Sequence, residues 1–279
     1  MGNYGFSYRG WRGSTLLVGG NPMAVEKRKL SKTEKRVIGI MSTVTVLALL
    51  VFAWLTYAND YYKATDVAKK AMLGTVTVEV TETDDYYLFS KSAAISYVGP
   101  ADGKGIVFYP GGKVDEKAYA PMLLKLAEEG YEVYLVKMPA KLAIFGMNAA
   151  EDIFEEANHI KEWTMMGHSL GGAMAASFSA SHDKEVEALV LLAAYSTEDL
   201  SELDIEVYSF YGSEDKVLNM EKYEEYRDNL PEDVVEEVIE GGNHANYAHY
   251  GAQDGDGEAR ITREEQQECV LDIFLSMKN

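Results

Sequence analysis

Cysteine is nearly absent from this sequence: its 279 residues include one, Cys269. A single thiol excludes an intramolecular disulfide, so the fold must be held together by packing alone. Cys269 falls in a predicted amphipathic helix near the C-terminal end, and no histidine motif surrounds it. We therefore interpret it as a buried small apolar residue and not as a nucleophile.

Basic residues are scarce outside the N-terminal part of the chain. Residues 1–58 carry eight Lys or Arg against two acids, whereas the rest has 18 basic and 43 acidic residues, within a net charge of −19. So acidic a domain repels phosphate groups, which makes nucleic acid a poor candidate partner. The hydrophobic content of 47% is ample for the core of one large domain plus an appendage.

Long hydrophobic runs are limited to one, residues 37–58, which contain no charged side chain. As a helix at ~1.5 Å per residue this run reaches ~33 Å, enough to cross a hydrocarbon core of ~30 Å. Trp54 and Tyr57 lie near its C-terminal end, where amphipathic rings favour the membrane interface. The basic residues between Lys27 and Arg36 predict a cytoplasmic N-terminus and an extracytoplasmic domain.

A cleaved signal peptide is the main alternative to a membrane anchor, with Thr56, Tyr57 and Ala58 as the small-residue cleavage site. The run exceeds the ~7–15 residues of a typical signal-peptide core, so an uncleaved anchor is favoured. A buried core helix is disfavoured because the run is apolar on every side and adjoins a basic cluster. No cysteine follows the run directly, which argues against a lipoprotein.

Residues 1–22 differ from the rest in being rich in glycine and aromatic residues without periodicity. Gly19 and Gly20 are compatible with a purine-rich ribosome-binding sequence in the gene, and Met23 follows at a suitable distance. We therefore hypothesise that translation starts at Met23 and that residues 1–22 are absent from the native protein. N-terminal sequencing of native protein would test this hypothesis.

Strand-like and helix-like segments alternate from residue 75 onward, which predicts an α/β fold with a mostly parallel sheet and helices on both faces. The first two strands, 75–82 and 86–90, have period-two patterns and predict an antiparallel pair. Further strands are predicted at 105–109, 131–137, 163–166, 187–195, 205–211 and 234–240, and helices at 119–129, 149–158, 173–180, 220–229 and 262–277. The predicted organisation is a basic cytoplasmic segment 1–36, a transmembrane helix 37–58, a linker 59–74 and an α/β domain 75–279.

The sequence GHSLGG at residues 167–172 follows a short hydrophobic strand and precedes a helix of small residues. This is the G-x-S-x-G pattern in the strand–turn–helix context of a nucleophile elbow, which presents a serine on a sharp, strained turn. Gly167, Gly171 and Gly172 supply the small neighbours that such a turn needs. Ser169 is therefore the candidate nucleophile. His168 is interpreted as structural, because neighbours on a tight turn point apart.

A serine nucleophile needs a base to take its proton and an acid to orient that base. His244 follows the last predicted strand and is the candidate base, with His249, farther from the strand end, as the alternative. Asp215 follows an earlier strand and is the candidate acid, with the adjacent Glu214 as the alternative. Serine, then acid, then histidine is the chain order of triads that are built on a nucleophile elbow.

The spacing of the remaining candidate ligands disfavours a metal site. His244 and His249 are five residues apart and would not share a helix face, and Ala245 stands where the zinc motif H-E-x-x-H has glutamate. The DGDG sequence at 254–257 lacks the ligand series and final glutamate of an EF-hand loop, so calcium is disfavoured too. Neither a metal nor an organic cofactor is predicted.

An acyl-transfer site also needs hydrogen-bond donors for the developing oxyanion. The backbone N–H of Leu170, directly after the nucleophile, is one candidate. The other is expected in the turn after the third strand, where Pro110 and Gly111 precede Gly112 and Lys113. Gly112 is the favoured second donor, with Lys113 as the alternative.

Five segments together resemble the α/β-hydrolase superfamily, and in particular a subgroup of small bacterial hydrolases akin to dienelactone hydrolases. They read FYPGGKV, GHSLGGAMAA, VLLAAY, FYGSEDKV and EGGNHANYAHYGAQDGDGEARIT. The resemblance covers residues 75–279 and implies an eight-stranded sheet with a triad of Ser169, Asp215 and His244. The chain departs from the family pattern at Pro110, where a histidine usually precedes the oxyanion glycine.

The interval between two later strands, residues 196–204, is short. Because cap domains of this superfamily typically enter there, we expect an open site without a large cap. The predicted function is a membrane-anchored serine hydrolase that cleaves carboxylic esters or related acyl bonds through an acyl-enzyme intermediate. The alternatives are an acyltransferase with the same triad and a non-catalytic binding module. A small-molecule acyl substrate and the membrane are the expected partners, and the oligomeric state is left open.

Overall fold

The structure is a computed structural model that describes residues 29–92 and 103–278. The chain divides into two units, Met1–Phe52 and Ala53–Asn279. The hypothesis on residues 1–22, with a start at Met23, falls outside the described residues, as does part of the predicted basic segment.

A long helix, α1 (Lys32–Asn59), contains the predicted apolar run. Ser31 and Glu34 form a capping box at its start: Glu34 N–H donates to Ser31 Oγ at 3.1 Å, and Ser31 N–H donates to Glu34 Oε2 at 2.8 Å. Within the stretch Lys32–Tyr57, the most apolar 18 residues have a mean hydropathy of 2.3, and none of these 18 is buried among the described residues. By length and composition this helix could cross a membrane, and a signal sequence would share these properties.

The described residues of the second unit include an eight-stranded sheet. Its strands are β1 (Val78–Glu82), β2 (Tyr86–Lys91), β3 (Lys104–Tyr109), β4 (Glu132–Val136), β5 (Glu162–His168), β6 (Val186–Leu192), β7 (Glu206–Gly212) and β8 (Val235–Ile239). Their order is β1-β2-β4-β3-β5-β6-β7-β8. β2 pairs antiparallel with both β1 and β4, and the other neighbours are parallel. The predicted antiparallel opening and mostly parallel sheet are confirmed.

Helices cover both faces of this sheet, as predicted. They are α2 (Asp66–Ala71), α3 (Ala120–Glu128), α4 (Ala149–Glu156), α5 (Leu170–Ser181), α6 (Met220–Glu225) and α7 (Arg263–Lys278). On β3, Ile106 and Phe108 belong to one core cluster together with side chains of α3 and α7. Val107 and Tyr109 belong to a second cluster with side chains of α4 and α5. Successive side chains of a strand point to opposite faces, which is why a strand covered on both sides has an uninterrupted apolar sequence.

The segment expected as a linker, residues 59–74, packs against the domain. Its helical tendency is realised as α2, on which Ala68 is fully buried, and the preceding Ala64 is 3% exposed. Tyr62 forms a parallel bridge with Val114, and Thr65 N–H donates to the carbonyl of His249 at 2.8 Å. The domain therefore includes contacts that begin soon after the end of α1.

Two predicted element boundaries shift for identifiable reasons. β1 begins at Val78 and not at residue 75, because Thr75 Oγ1 accepts the Val78 N–H at 3.0 Å and holds the intervening residues in a turn. The helix predicted at 220–229 ends as α6 at Glu225, and a separate 3-10 turn follows at Arg227–Asn229. The connection between β6 and β7 contains no helix or strand, which agrees with the absence of a large cap at that place.

Cys269 lies on α7 and is less buried than expected. It is of intermediate exposure and packs against the edge of the first core cluster. Burial raises the pKa of its thiol above the usual value, with Glu237 and Asp272 adding to the effect. A thiol with a raised pKa is a weaker nucleophile near neutral pH, which supports the structural interpretation.

Candidate active site

Ser169 lies between the last residue of β5 and the first residue of α5, on a turn with φ 53° and ψ −123°. Residues other than glycine rarely adopt this backbone conformation, which costs of order 1–3 kcal/mol and occurs mostly at functional sites. The turn is tight: a Cβ added to Gly167 would lie 2.5 Å from the carbonyl oxygen of Gly171, and one added to Gly171 would collide with the carbonyl oxygen of Tyr109. The glycines of the GHSLGG motif are therefore required by close backbone approach.

His244 and Asp215 form a buried pair at the ends of two other strands. His244 Nδ1 lies 2.8 Å from Asp215 Oδ2, and the two side chains are 2% and 0% exposed. Asp215 Oδ1 accepts the N–H groups of Val217 and Leu218, each at 2.8 Å. Since a carboxylate only accepts, Nδ1 donates to it and leaves Nε2 of the neutral imidazole able to take a proton. The alternative acid, Glu214, pairs with Arg260 at 2.7 Å.

The end of β5 lies beside this pair. The imidazole of His168, directly before Ser169, has its centroid 4.6 Å from that of His244. The alternative base, His249, makes backbone bonds elsewhere: its N–H donates to Ala118 at 2.8 Å, and its carbonyl accepts from Thr65. Burial, with Arg263 adding to it, lowers the pKa of His249 below the usual value. Of the two histidines, His244 is the one whose ring bonds Asp215.

The turn after β3 places Gly112 next to Leu170. A Cβ on Gly112 would lie 3.6 Å from Leu170 Cβ, so the two residues are close neighbours. The N–H of Lys113 donates to the carbonyl of Lys141 at 2.7 Å, which removes the alternative donor. The N–H of Gly111 donates to Tyr119 Oη at 2.9 Å. Leu170 begins a helix, where N–H groups have no partner inside the helix, so Leu170 and Gly112 are the candidate oxyanion donors.

Two residues that the sequence did not single out support this arrangement, and Tyr119 is the first. Its hydroxyl lies 2.8 Å from His168 Nδ1, and both side chains are buried. Burial, together with the neighbouring His244, lowers the pKa of His168 well below its usual value, while the His244 backbone acts in the opposite direction. The pair is therefore a neutral, internal hydrogen bond directly beneath the turn that carries Ser169.

The second is Asp256, in the DGDG loop that follows His244. Its Oδ2 accepts the N–H of Ala245 at 2.9 Å, and its Oδ1 accepts those of Gly257 at 2.8 Å and His244 at 3.3 Å. The Lys216 N–H, beside Asp215, also points to Oδ1 at 3.4 Å. One carboxylate thus connects the backbone beside the acid to the backbone of the base. Its partners here are amides, whereas the calcium interpretation of DGDG would use it as a metal ligand.

Solved structures with a similar fold include hydrolases from several organisms. A predicted CIB-like hydrolase from Thermoplasma acidophilum has a TM-score of 0.52 at 15% identity, covering 72% of this chain and 98% of the other. A monoacylglycerol lipase from Paleococcus ferrophilus has a TM-score of 0.52 at 14% identity, covering 64% and 96%. Esterase 2 from Thermogutta terrifontis, phosphoramylated by tabun, has a TM-score of 0.50 at 15% identity, covering 72% and 95%. At these identities the likeness shows the fold.

Comparison at the sequence level is more specific. None of the curated proteins matches the chain. A model of the Alpha/beta hydrolase family matches residues 105–268, more than half of the chain, from β3 into α7 and including all five candidate site residues. With this match and the eight-stranded sheet, the chain belongs to the alpha/beta hydrolase family.

Proposed function

We propose that the protein is a serine hydrolase that cleaves carboxylic esters or related acyl bonds through an acyl-enzyme intermediate. The observation that carries the proposal is the buried pair of His244 and Asp215, at 2.8 Å, beside the strained turn of Ser169. A base with an orienting acid next to a serine in such a turn is the arrangement that activates a hydroxyl. An esterase and a lipase among the similar structures support the ester class.

In the first half of the reaction, Ser169 Oγ attacks the ester carbonyl carbon while His244 Nε2 takes the hydroxyl proton. The electron pair of the carbonyl moves to its oxygen, which accepts hydrogen bonds from the N–H groups of Leu170 and Gly112. Collapse of this intermediate breaks the bond to the alcohol oxygen, which receives the proton from His244. The acyl group remains on Ser169.

In the second half, a water molecule loses a proton to His244 and attacks the acyl carbon. Collapse returns the proton to Ser169 Oγ and releases the carboxylic acid. Throughout, the carboxylate of Asp215 accepts the hydrogen bond from Nδ1 and stabilises the imidazolium of His244. Because Asp215 is itself held by the Val217 and Leu218 amides, the imidazole keeps its orientation between the two halves.

We further propose that α1 is an uncleaved membrane anchor with the N-terminus in the cytoplasm and the hydrolase domain outside. The length and apolar surface of α1 support a span, and the basic residues on its N-terminal side support this orientation. Protease treatment of intact cells is expected to remove the domain while leaving a cytoplasmic marker intact. A domain that is protected until the cells are lysed would contradict the orientation.

Reaction of the full-length protein with a fluorophosphonate probe tests the nucleophile. We expect the wild-type protein to be labelled and Ser169→Ala to lose the label, because the probe reacts with activated serines. Ser181→Ala is the matched control, since Ser181 lies at the exposed end of the same helix, α5. A wild-type protein that is folded yet unreactive would reject the serine mechanism. A panel of p-nitrophenyl esters of increasing acyl length then measures substrate preference.

A further inference from the structure

Between β4 and α4 the chain exposes three large apolar side chains within four residues. Ile144, Phe145 and Met147 are 58%, 55% and 37% exposed. Single exposed apolar residues are common, but a group of this kind is typical of a surface that contacts another apolar phase. We refer to residues 142–147 as the apolar loop.

The apolar loop is joined to the candidate oxyanion turn. The carbonyl of Lys141, directly before the loop, accepts the Lys113 N–H at 2.7 Å. Leu142, the first residue of the loop, has its Cδ2 atom 3.7 Å from the position that a Cβ on Gly112 would occupy. The loop therefore borders the place where the substrate carbonyl would lie.

The chain that leaves α1 is bound at the same turn. Tyr62 N–H donates to the Lys113 carbonyl at 2.7 Å, and Asp115 N–H donates to the Tyr62 carbonyl at 2.8 Å. Tyr57 ends the apolar stretch of α1. The five residue steps from Tyr57 to Tyr62 can span at most about 17 Å even if fully extended. If α1 crosses the membrane, the oxyanion turn has to lie close to the bilayer surface.

An aromatic contact within the second unit indicates the depth of the loop. The ring of Phe145 meets that of Trp54 edge-on, with the centroids 6.0 Å apart. Tryptophan near the end of an apolar span favours the headgroup region. A phenylalanine packed on that tryptophan would therefore lie at the same level and be available to the lipid.

We propose that the apolar loop enters the headgroup region of the bilayer that holds α1, so that the active site opens toward the lipid and takes ester substrates that reside in the bilayer. This proposal rests on the proposed anchor and on the proposed hydrolase activity. In this proposal, lipid covers the apolar side chains of the loop. The experiment below distinguishes lipid from a protein partner or a second copy of this chain.

The test measures lipid contact directly in the full-length protein. Phe145→Cys or Ile144→Cys is made in a Cys269→Ser background and labelled with a nitrobenzoxadiazole dye. The protein is reconstituted into vesicles of phosphatidylcholine and phosphatidylglycerol, with or without lipids that carry a spin label near the headgroup. We expect blue-shifted emission that the spin-labelled lipids quench at both positions.

Val238→Cys, labelled in the same background, is the matched control. Val238 is 42% exposed on β8, which lies five strand positions from β4, about 24 Å away at ~4.8 Å per strand. We expect little quenching there. Equal, weak quenching at all three positions would overturn the proposal, and so would a blue-shifted Phe145 dye that spin-labelled lipids do not quench, because a protein would then cover the loop.

Activity gives a second readout that separates this proposal from the proposed function. The ratio of turnover on a long-chain ester in vesicles to turnover on a water-soluble ester is expected to fall about tenfold in Phe145→Ser, because the apolar side chain is lost from the lipid contact. The ratio should not change in Val238→Ser. An unchanged ratio in Phe145→Ser would contradict lipid docking. If the wild-type protein does not react with the fluorophosphonate probe, the serine mechanism is rejected. The quenching of the dye by spin-labelled lipids would still show that the loop contacts lipid.

Discussion

The hydroxyl of Tyr119 lies between the two elements that carry the candidate oxyanion donors. It accepts the Gly111 N–H at 2.9 Å and lies 2.8 Å from His168 Nδ1. A tyrosine hydroxyl has one proton, and because Gly111 already donates to its oxygen, that proton goes to His168 Nδ1. The turn after β3 is thereby tied to the last residue of β5, one position before Ser169.

Tyr119→Phe removes this connection and leaves a buried N–H and a buried ring nitrogen unpaired. We expect a loss of stability of about 1–3 kcal/mol. We also expect kcat for a soluble ester to fall about tenfold with little change in KM, because a misplaced oxyanion donor affects mainly the transition state. Thermal unfolding and steady-state kinetics measure the two effects. Tyr131→Phe is the control, since Tyr131 precedes β4 at the opposite end of the strands.

Part of the pH dependence of stability is expected to come from His168, because burial lowers the pKa of its imidazole well below the usual 6.5. His249, whose pKa burial also lowers, acts in the same direction. In the unfolded chain the imidazole of His168 takes a proton as the pH falls through about 6.5. The unfolded state then binds more protons than the native state, so the contribution of His168 to stability is fully present above that pH and is lost below it by about 1.4 kcal/mol per pH unit. Thermal unfolding between neutral pH and pH about 5 measures the slope.

The variant His168→Gln tests whether His168 causes this change of stability with pH. Glutamine does not titrate, so the stability of the variant should depend less on pH than that of the wild-type protein, whatever its absolute stability. His159→Gln is the control, because His159 is exposed and pairs with Glu132 at 3.0 Å on the surface. Parallel slopes in wild type and His168→Gln would contradict the assignment.

At the scale of elements, the elbow was predictable and its supports were not. Six consecutive residues suffice to predict Ser169 as the candidate nucleophile, because the glycines that the turn needs are its neighbours in the sequence. The positions of Asp215 and His244 after strands, which a local pattern also shows, predict them as the acid and the base. Tyr119 and Asp256 act on residues 49 and 12 positions away in the chain, and an ordinary tyrosine or aspartate carries no local sign of such partners.

The loop that carries His244 depends on Asp256 for its backbone geometry. Both oxygens of the Asp256 carboxylate accept hydrogen bonds from backbone N–H groups. In Asp256→Asn, the NH₂ group of the amide replaces one of these oxygens, so at least one backbone N–H loses its acceptor. An unpaired buried donor costs about 1–3 kcal/mol, which the loop would avoid by shifting His244 away from its present position. We therefore expect kcat/KM to fall about tenfold. The kinetics of soluble ester hydrolysis measure the effect.

Asp254→Asn is the matched control in the same loop, because its side chain is exposed. Its activity is expected to match that of the wild-type protein. If Asp254→Asn and Asp256→Asn lose activity equally, the effect belongs to loop charge and not to the hydrogen bonds. Full activity in Asp256→Asn would show that the remaining contacts of the loop suffice to hold His244.

At the scale of the whole molecule, alternation along the sequence predicted the sheet but not the role of residues 59–74. Their polar composition indicated a linker, because the two residues that are buried in the core, Ala64 and Ala68, are small, while Tyr62, Ala71 and Met72 pack against the core only partly buried. Small side chains give a weak hydrophobic signal although they permit close packing. As a result of this packing, Tyr62 and Thr65 connect the end of α1 to the oxyanion turn and to the loop that holds His249.

Ala68→Asp tests whether this segment is part of the folded domain. The side chain of Ala68 is fully buried, so an aspartate there would place an unpaired charge among apolar groups or force α2 away from the domain. We expect a loss of stability of about 3 kcal/mol or more by thermal unfolding of the full-length protein. Val67→Asp introduces the same charge one position earlier, where the side chain is 58% exposed, and should change stability by less than about 0.5 kcal/mol. Equal effects of the two substitutions would mean that residues 59–74 behave as a free linker. The proposed closeness of the active site to the membrane would then no longer follow from the contacts of Tyr62.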